Sequence, residues 1–388
     1  MFALQDLRSA GNSLGRRLAH ALKRSAPLAL AAAALALPAP APAKTLIRIQ
    51  SVIPVHADEV VMLKDFARDV SDLTGGEVTF TVLPAGAVVG VNETLDAVDK
   101  GLIEAGFAWT HYWSGKHPAA TLFGSPAAGA GVGLDNLAWV SWYLYGGGAA
   151  LYDRLWDEMG VNVKGFILQP VGPEPLGWFR KPIASLADFK GLRFRAPPGI
   201  PGQIYNAIGV AAVALPGGEI LPALERGVID AAEWAGPKPD SVFGFQKVLK
   251  HYYLQGLHQN VVNADIYINK DVWKKLTALQ QKAIEVSANA AMMKAHSYRI
   301  IENGRALKQL VEKDGVVLHD TPKDFLLAYA DAAQRVFQGH ADRNPFFKEV
   351  WDSQRRFAEQ AIPFWASAQK ANAAITGAYA DKLAGARK

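Results

Sequence analysis

One stretch, residues 218–237, constrains this chain more than any other: GEILPALERGVIDAAEWAGP. Its first half predicts a helix. Ile220, Leu221 and Leu224 recur at helical spacing within 219–226, and Gly227 stands where a helix would stop. Its second half, VIDAA at 228–232, predicts a short buried strand. The pattern then breaks into Glu233, Trp234 and an Ala-Gly-Pro turn. A carboxylate and an indole at the end of a buried strand are costly unless something pairs with them. In open α/β sheets that end of a strand is where ligands sit. The stretch is expected to form one wall of a ligand cleft.

The flanking chain predicts the rest of an α/β architecture. Alternating strands are expected at 44–52, 77–83 and 104–109, with helices at 58–74 and 92–100 between them. Strand–helix–strand–helix–strand implies a parallel layer. THYWS, 110–114, follows the third strand directly, which puts Tyr112 at a strand's carboxyl end facing the same cleft. GSPAAGAGVG, 124–133, lacks the G-x-G-x-x-G spacing and is expected to be a flexible loop. A helix at 135–159 is interrupted by Gly146, Gly147 and Gly148. After a strand at 161–168, the prolines of 169–175 hold the chain extended, a suitable place to pass between lobes. LRFRA, 192–196, is a strand carrying Arg193 and Arg195 on one face. Residues 251–269 return by an extended path to the first lobe. Asp271 is expected to cap a long helix, with room for a break, to about residue 313, a strand follows at 316–318, and a helix opens at 321–324. The tail carries Phe346, Phe347, Val350, Trp351, Phe357 and Ile362, a helical apolar stripe without an obvious internal partner.

With 388 residues, half of them hydrophobic, a large core or two lobes can form. The absence of cysteine excludes disulfides, thiolate metal sites and cysteine nucleophiles. Residues 1–43 read as an export signal: Arg8, Arg16, Arg17, Lys23 and Arg24, an apolar run at 26–37, and a small-x-small site, Ala41-Pro42-Ala43. The twin-arginine pair sits well before the apolar run and lacks the usual following residues, so Sec export is expected. That leader holds five Lys/Arg against one Asp, which leaves the remainder of a +5 chain near +1. The high pI therefore gives no reason to expect nucleic-acid binding.

Catalytic motifs are missing. There is no G-x-S-x-G, H-E-x-x-H or Walker loop. His111, His117, His251, His258 and His319 fall in no known ligand spacing and read as core or surface histidines. What remains is recognition chemistry. Arg195 presents a planar fork suited to a carboxylate. Glu174, Glu233 and Gln259 supply oxygens that suit a hard cation.

Three blocks carry a family resemblance: GWFRKPIASLADFKGLRFRAPPG at 177–199, PALERGVIDAAEWAGP at 222–237, and Tyr-Gly-Gly-Gly at 145–148. Together they resemble the solute receptors of tripartite ATP-independent periplasmic (TRAP) transporters, the family-7 extracellular solute-binding proteins. Glu233-Trp234, Gly-Leu-His-Gln at 256–259 and the aromatic tail resemble the branch that binds 2-oxo acids and lactate with a metal ion. The resemblance implies that Arg195 binds the ligand carboxylate. It implies that Glu233 and the Trp234 carbonyl ligate the cation, with Gln259 where another ligand stands. Glu174 falls where that branch often has glutamine; the extra carboxylate favours Ca²⁺ over Na⁺. Tyr112 and Trp234 are expected to limit ligand size.

The expected fold is α/β, a two-lobed periplasmic binding protein (type II-like) with a hinge, a long connecting helix and a C-terminal helical extension. Lobe 1 is expected at 44–168 plus 260–300, lobe 2 at 169–259 plus 301–342, and the extension at 343–388. The expected function is capture of a small 2-oxo or 2-hydroxy monocarboxylate, with Ca or Na and no organic cofactor, for delivery to TRAP membrane subunits. No catalysis is expected, and the tail suggests a homodimer. A same-fold receptor for a dicarboxylate or sugar acid, or an exported enzyme using Arg195 and Glu233, are the alternatives.

Overall fold

The structure is a computed structural model and describes residues 44–385; the export signal expected over 1–43 lies outside the described residues. In chain order it runs β1 (Thr45–Ser51), α1 (Asp58–Leu73), β2 (Val78–Leu83), α2 (Thr94–Asp99) and β3 (Ala105–Trp109). Next come α3 (Ala120–Gly124), α4 (Asn136–Tyr145), α5 (Gly148–Glu158), β4 (Val163–Pro170), β5 (Gly177–Phe179), β6 (Arg193–Arg195) and α6 (Ile200–Ala207). There follow β7 (Ala211–Val213), α7 (Gly217–Glu225), β8 (Ala231–Ala232), α8 (Pro237–Phe243), β9 (His251–Tyr253) and β10 (Asn263–Asn269). The chain finishes with α9 (Lys270–Trp273), α10 (Ala278–Glu312), β11 (Val317–His319), α11 (Lys323–Ala341) and α12 (Pro345–Gly385).

The strands make two sheets. The first has the order β2-β1-β3-β10-β4 and the second β11-β9-β5-β8-β6-β7. As the strand–helix–strand–helix–strand order implies, β1 pairs in parallel with both β2 and β3. Antiparallel β10 lies between β3 and β4 with every residue buried, as a central strand covered on both faces requires. The chain crosses between the sheets after β4 and before β10. These two crossings bond to each other: Val171 N–H donates to the Val262 carbonyl (2.9 Å) and Glu174 N–H to the Gln259 carbonyl (3.0 Å).

The helix α10 holds 35 residues, roughly 50 Å of rise. It packs on α1 and β4 at the first sheet and on α8 beside the second. Where it meets α1, Arg299 donates to Glu59; their side chains are 3% and 0% exposed.

Several expectations need correction. β8 is two residues long because Val228 is solvent-exposed, so only Ala231 and Ala232 join the sheet. Asn269, not Asp271, caps the helix after β10, accepting from the N–H groups of Asp271 and Val272. The break that the sequence left room for comes after one turn, and α10 starts afresh with Thr277 and Gln280 forming a capping box. The glycine-rich segment 124–133 is not a flexible loop. Residues 124–130 are buried, and the Ala130 carbonyl accepts from the Trp351 indole at 2.8 Å.

That last contact also revises the tail. Phe346, Phe347, Val350 and Trp351 are buried against this same chain, so the first part of the stripe has an internal partner. Just past Pro363, Trp365 still packs on the body and donates its indole N–H to Asp135 at 2.6 Å, but the rest of the helix is mostly exposed: Phe364, Ile375 and Tyr379 are 75%, 72% and 62% exposed. Forty-one residues of α-helix extend roughly 60 Å, too long to lie on the lobe where α12 begins. Its alanine-rich sequence favours helix without tertiary support.

Candidate functional site

β6 ends in Arg195 and β8 leads into Glu233. The two strands run parallel with Arg195 opposite Ala232, so the pairing itself places the guanidinium beside the carboxylate. Arg195 is 3% exposed. Its Nε and one terminal nitrogen donate to the Leu215 carbonyl (3.2 and 3.1 Å), and its other terminal nitrogen donates to Glu233, both to the carbonyl (3.3 Å) and to Oε1. The guanidinium carbon lies 5.1 Å from the Trp234 ring centroid. The fork foreseen for a ligand is thus already engaged, with Glu233 holding the nitrogen a carboxylate would need.

Trp234 follows on the turn and packs on Phe243 (4.9 Å between centroids). Gly217 opens α7 against the indole. A Cβ at that position would meet the ring at 2.6 Å, so glycine is what lets helix and indole approach. Glu174 and Gln259 sit on the two bonded crossings, 2% and 3% exposed. Tyr112 and His111 come from the turn after β3 and meet edge to face at 5.2 Å.

These residues close around one small cavity of about 20 Å³, room for a water-sized body. Its lining includes Tyr112, His111, Glu174, Arg195, Trp234 and Gln259. Arg195 is the sole cationic side chain on its walls among the described residues. Burial pushes the Tyr112 phenol up to about 12 and the His111 imidazole down to about 3, so both stay neutral on the cavity wall. Burial first, and the neighbouring Glu233 second, hold the Glu174 carboxyl well above the usual carboxylate range.

Sequence reasoning missed His258. It is fully buried, its Nδ1 lies 3.1 Å from the Tyr205 hydroxyl, and its Nε2 lies 3.6 Å from Glu233 Oε2 and 3.8 Å from Glu174 Oε2. Those two oxygens and Nε2 have no hydrogen-bond partner among the described residues. The signal available was its place beside Gln259 in the Gly-Leu-His-Gln run. Ligand atoms of Glu174, Glu233 and His258 lie within 4.8 Å of one another. Buried, unpaired carboxylate oxygens converging on one point suit a bound cation, which would satisfy them together. Gln259 lines the same cavity.

Two mixed sheets joined by paired crossings, with a buried arginine in the cleft, define a solute-trapping receptor. The chain belongs to the bacterial extracellular solute-binding proteins, family 7, which it matches over residues 52–344. It is 33% identical over 297 residues to a monocarboxylate 2-oxoacid-binding periplasmic protein of Nostoc sp., covering 76% of this chain and 79% of that one. Its fold matches a TRAP transporter solute binding protein from Bordetella bronchiseptica (TM-score 0.82, 28% identity, 88% of this chain and 99% of that one). That protein is a mixed occupancy dimer with copurified calcium and picolinate in the bound site. A TRAP periplasmic solute binding protein from Pseudoalteromonas atlantica with bound sodium and pyruvate matches at TM-score 0.78 and 26% identity, over 85% of this chain and 98% of that one.

Proposed function

We propose that this chain is the periplasmic receptor of a TRAP transporter, and that it captures a small 2-oxo or 2-hydroxy monocarboxylate such as pyruvate together with a cation. The observation that carries this reading is the buried pair of unpartnered oxygens, Glu174 Oε2 and Glu233 Oε2, beside a single buried arginine. One arginine favours one ligand carboxylate over two. Arg195 binds that carboxylate, and Tyr112 and Trp234 exclude water and bound the ligand's length. Glu233, Glu174, Gln259 and the Trp234 carbonyl hold the cation, whose charge offsets the carboxylates that would otherwise repel an anionic ligand. Glu233 links the two events: when its Oε1 leaves Arg195, a terminal N–H becomes free for the ligand. The protein then delivers its load to the membrane subunits without turnover. The lobes, 44–168 plus 260–300 and 169–259 plus 301–342, close on the ligand about the paired crossings.

Calorimetry on refolded, ligand-free protein tests this. Pyruvate binding should be measurable with metal present and at least about tenfold weaker after chelation. Full affinity in protein shown by elemental analysis to be metal-free would leave an arginine-only receptor and remove the cation from the reading.

We further infer a homodimer in which the helix beyond Pro363 covers the partner subunit. Phe364, Ile375, Tyr379 and Leu383 support this, since such exposed apolar side chains on one long helix need cover. A truncation before Phe346 would strip the core, so the informative version ends at Ile362. Light scattering should report a dimer for the full mature chain and a folded monomer for the shortened one. A monomeric full-length protein would end the idea.

A further inference from the structure

His258 places a nitrogen among oxygens. Its ring lies on the crossing that leads into β10, with no exposed surface. Both carboxylates that Nε2 faces come from other segments, Glu174 from the opposite crossing and Glu233 from the end of β8. A cluster of acids alone would carry no conclusion. Here three buried atoms, Glu174 Oε2, Glu233 Oε2 and His258 Nε2, each lack a partner and face one point. Leaving one such atom unpaired costs about 1–3 kcal/mol, so three in one place call for a shared partner.

The spacing indicates what that partner is. Nε2 stands 3.6 and 3.8 Å from the two oxygens, beyond hydrogen-bond reach, so a proton on Nε2 would bond to neither. Donors around one ion stand about 3.4 Å apart, whether held at about 2.1 Å in a tetrahedron or at about 2.4 Å at right angles, close to what is seen. On the other side of the ring, Nδ1 is 3.1 Å from the Tyr205 hydroxyl. With the proton on Nδ1 and donated to that hydroxyl, the Nε2 lone pair faces the carboxylates, the arrangement that prepares an imidazole for a metal.

Charge narrows the choice further. Arg195 offsets one of the two carboxylates, and a bound monocarboxylate adds another negative charge. With both carboxylates ionised around the ion, a divalent charge brings the buried set to neutrality, whereas Na⁺ leaves it negative. Among divalent ions, an imidazole donor favours Mn²⁺ and, more strongly, Zn²⁺ over Ca²⁺.

We propose that His258 Nε2 is a direct ligand of the cation, and that it makes this site bind Mn²⁺ and Zn²⁺ more tightly than Ca²⁺ or Na⁺. The proposal rests on the receptor reading only for the cation's place in the cleft. Ca²⁺ still enters through the oxygens alone; the nitrogen sets the order of preference.

The test uses the full mature chain, stripped of metal by unfolding and refolding in chelator. Loaded with Mn²⁺, it should show the ¹⁴N coupling of a bound imidazole in pulsed electron paramagnetic resonance, and His258→Gln should lack it. In competition titrations Zn²⁺ should displace Ca²⁺ with a dissociation constant at least about tenfold lower, a margin that His258→Gln should erase. Should that variant fail to fold, the wild-type coupling and the wild-type Zn²⁺/Ca²⁺ ratio decide alone. Absence of ¹⁴N coupling in the wild type, or Ca²⁺ bound as tightly as Zn²⁺, overturns the proposal. Calorimetry with pyruvate on the same samples separates the two readings. Pyruvate bound with Ca²⁺ but without ¹⁴N coupling removes His258 as ligand and keeps the receptor. Coupling present with no acid bound under any ion keeps His258 and removes the 2-oxo acid.

Discussion

Arg195→Lys should lower pyruvate affinity at least about thirtyfold, the equivalent of roughly 2 kcal/mol for a lost charged hydrogen-bond pair. Lysine keeps the charge, so a purely coulombic role would predict little change. What it cannot keep is the fork. Arg195 spends three of its bonds on fixing itself, two to the Leu215 carbonyl and one to the Glu233 carbonyl, and its plane faces Trp234. An ammonium on a flexible stem loses both the paired donors and this rigid seat. Calorimetry at saturating metal gives the number, and far-UV circular dichroism confirms that the variant is folded. Affinity within threefold of wild type would take Arg195 out of the binding role.

The second large effect concerns stability. Glu59 and Arg299 are buried together between α1 and α10, and neither is fully satisfied: Glu59 Oε2 and the Nε and one terminal nitrogen of Arg299 have no partner. Removing one charge strands the other in a site with few alternatives. Glu59→Gln should therefore cost about 3–5 kcal/mol, and Arg299→Met more, because it leaves Glu59 next to Asp58. Asp58 is 5% exposed, and burial already pushes its carboxyl up while Arg299 pulls it down. Replacing both partners by apolar residues, Glu59→Leu with Arg299→Met, should recover most of the loss. Urea unfolding of ligand-free protein measures all three. A cost below 1 kcal/mol for Glu59→Gln would mean that water reaches the pair.

Local pattern was enough for the elements that bury one regular face. The alternation in β1 and β2 and the amphipathic α1 were legible because each signal lies within a few residues. Arg195, Glu233 and Trp234 were legible as candidates, since a charged residue at a strand end stands out against its neighbours. The long-range pairings were not legible. Glu59 and Arg299 are 240 positions apart, and each alone reads as a surface charge on a helix. His258 looked like a scattered histidine because its partners, Glu174 and Glu233, approach from other parts of the chain. The glycine-rich segment misled for the same reason: small residues signal flexibility locally, yet here they let Trp351 come close enough to bond the Ala130 carbonyl. The division of the tail at Pro363 depends on where the body of the protein ends, which no periodicity encodes.

The paired crossings have a mechanical meaning. Two extended segments bonded side by side resist sliding past each other but can twist as a ribbon. Glu174 and Gln259 are built into that ribbon, and His258 adjoins it. For any rotation about the ribbon, atoms at this seat have almost no lever arm, while the outer rims of the two sheets sweep the longest arcs. In the proposed closure the seat is the fulcrum. In that closure a small displacement at the seat accompanies a larger one at the rims. The same gearing works against change: a substitution that reshapes the fulcrum also resets the angle of the whole instrument, whereas Tyr112, standing off the ribbon, can vary with the ligand and leave the angle alone.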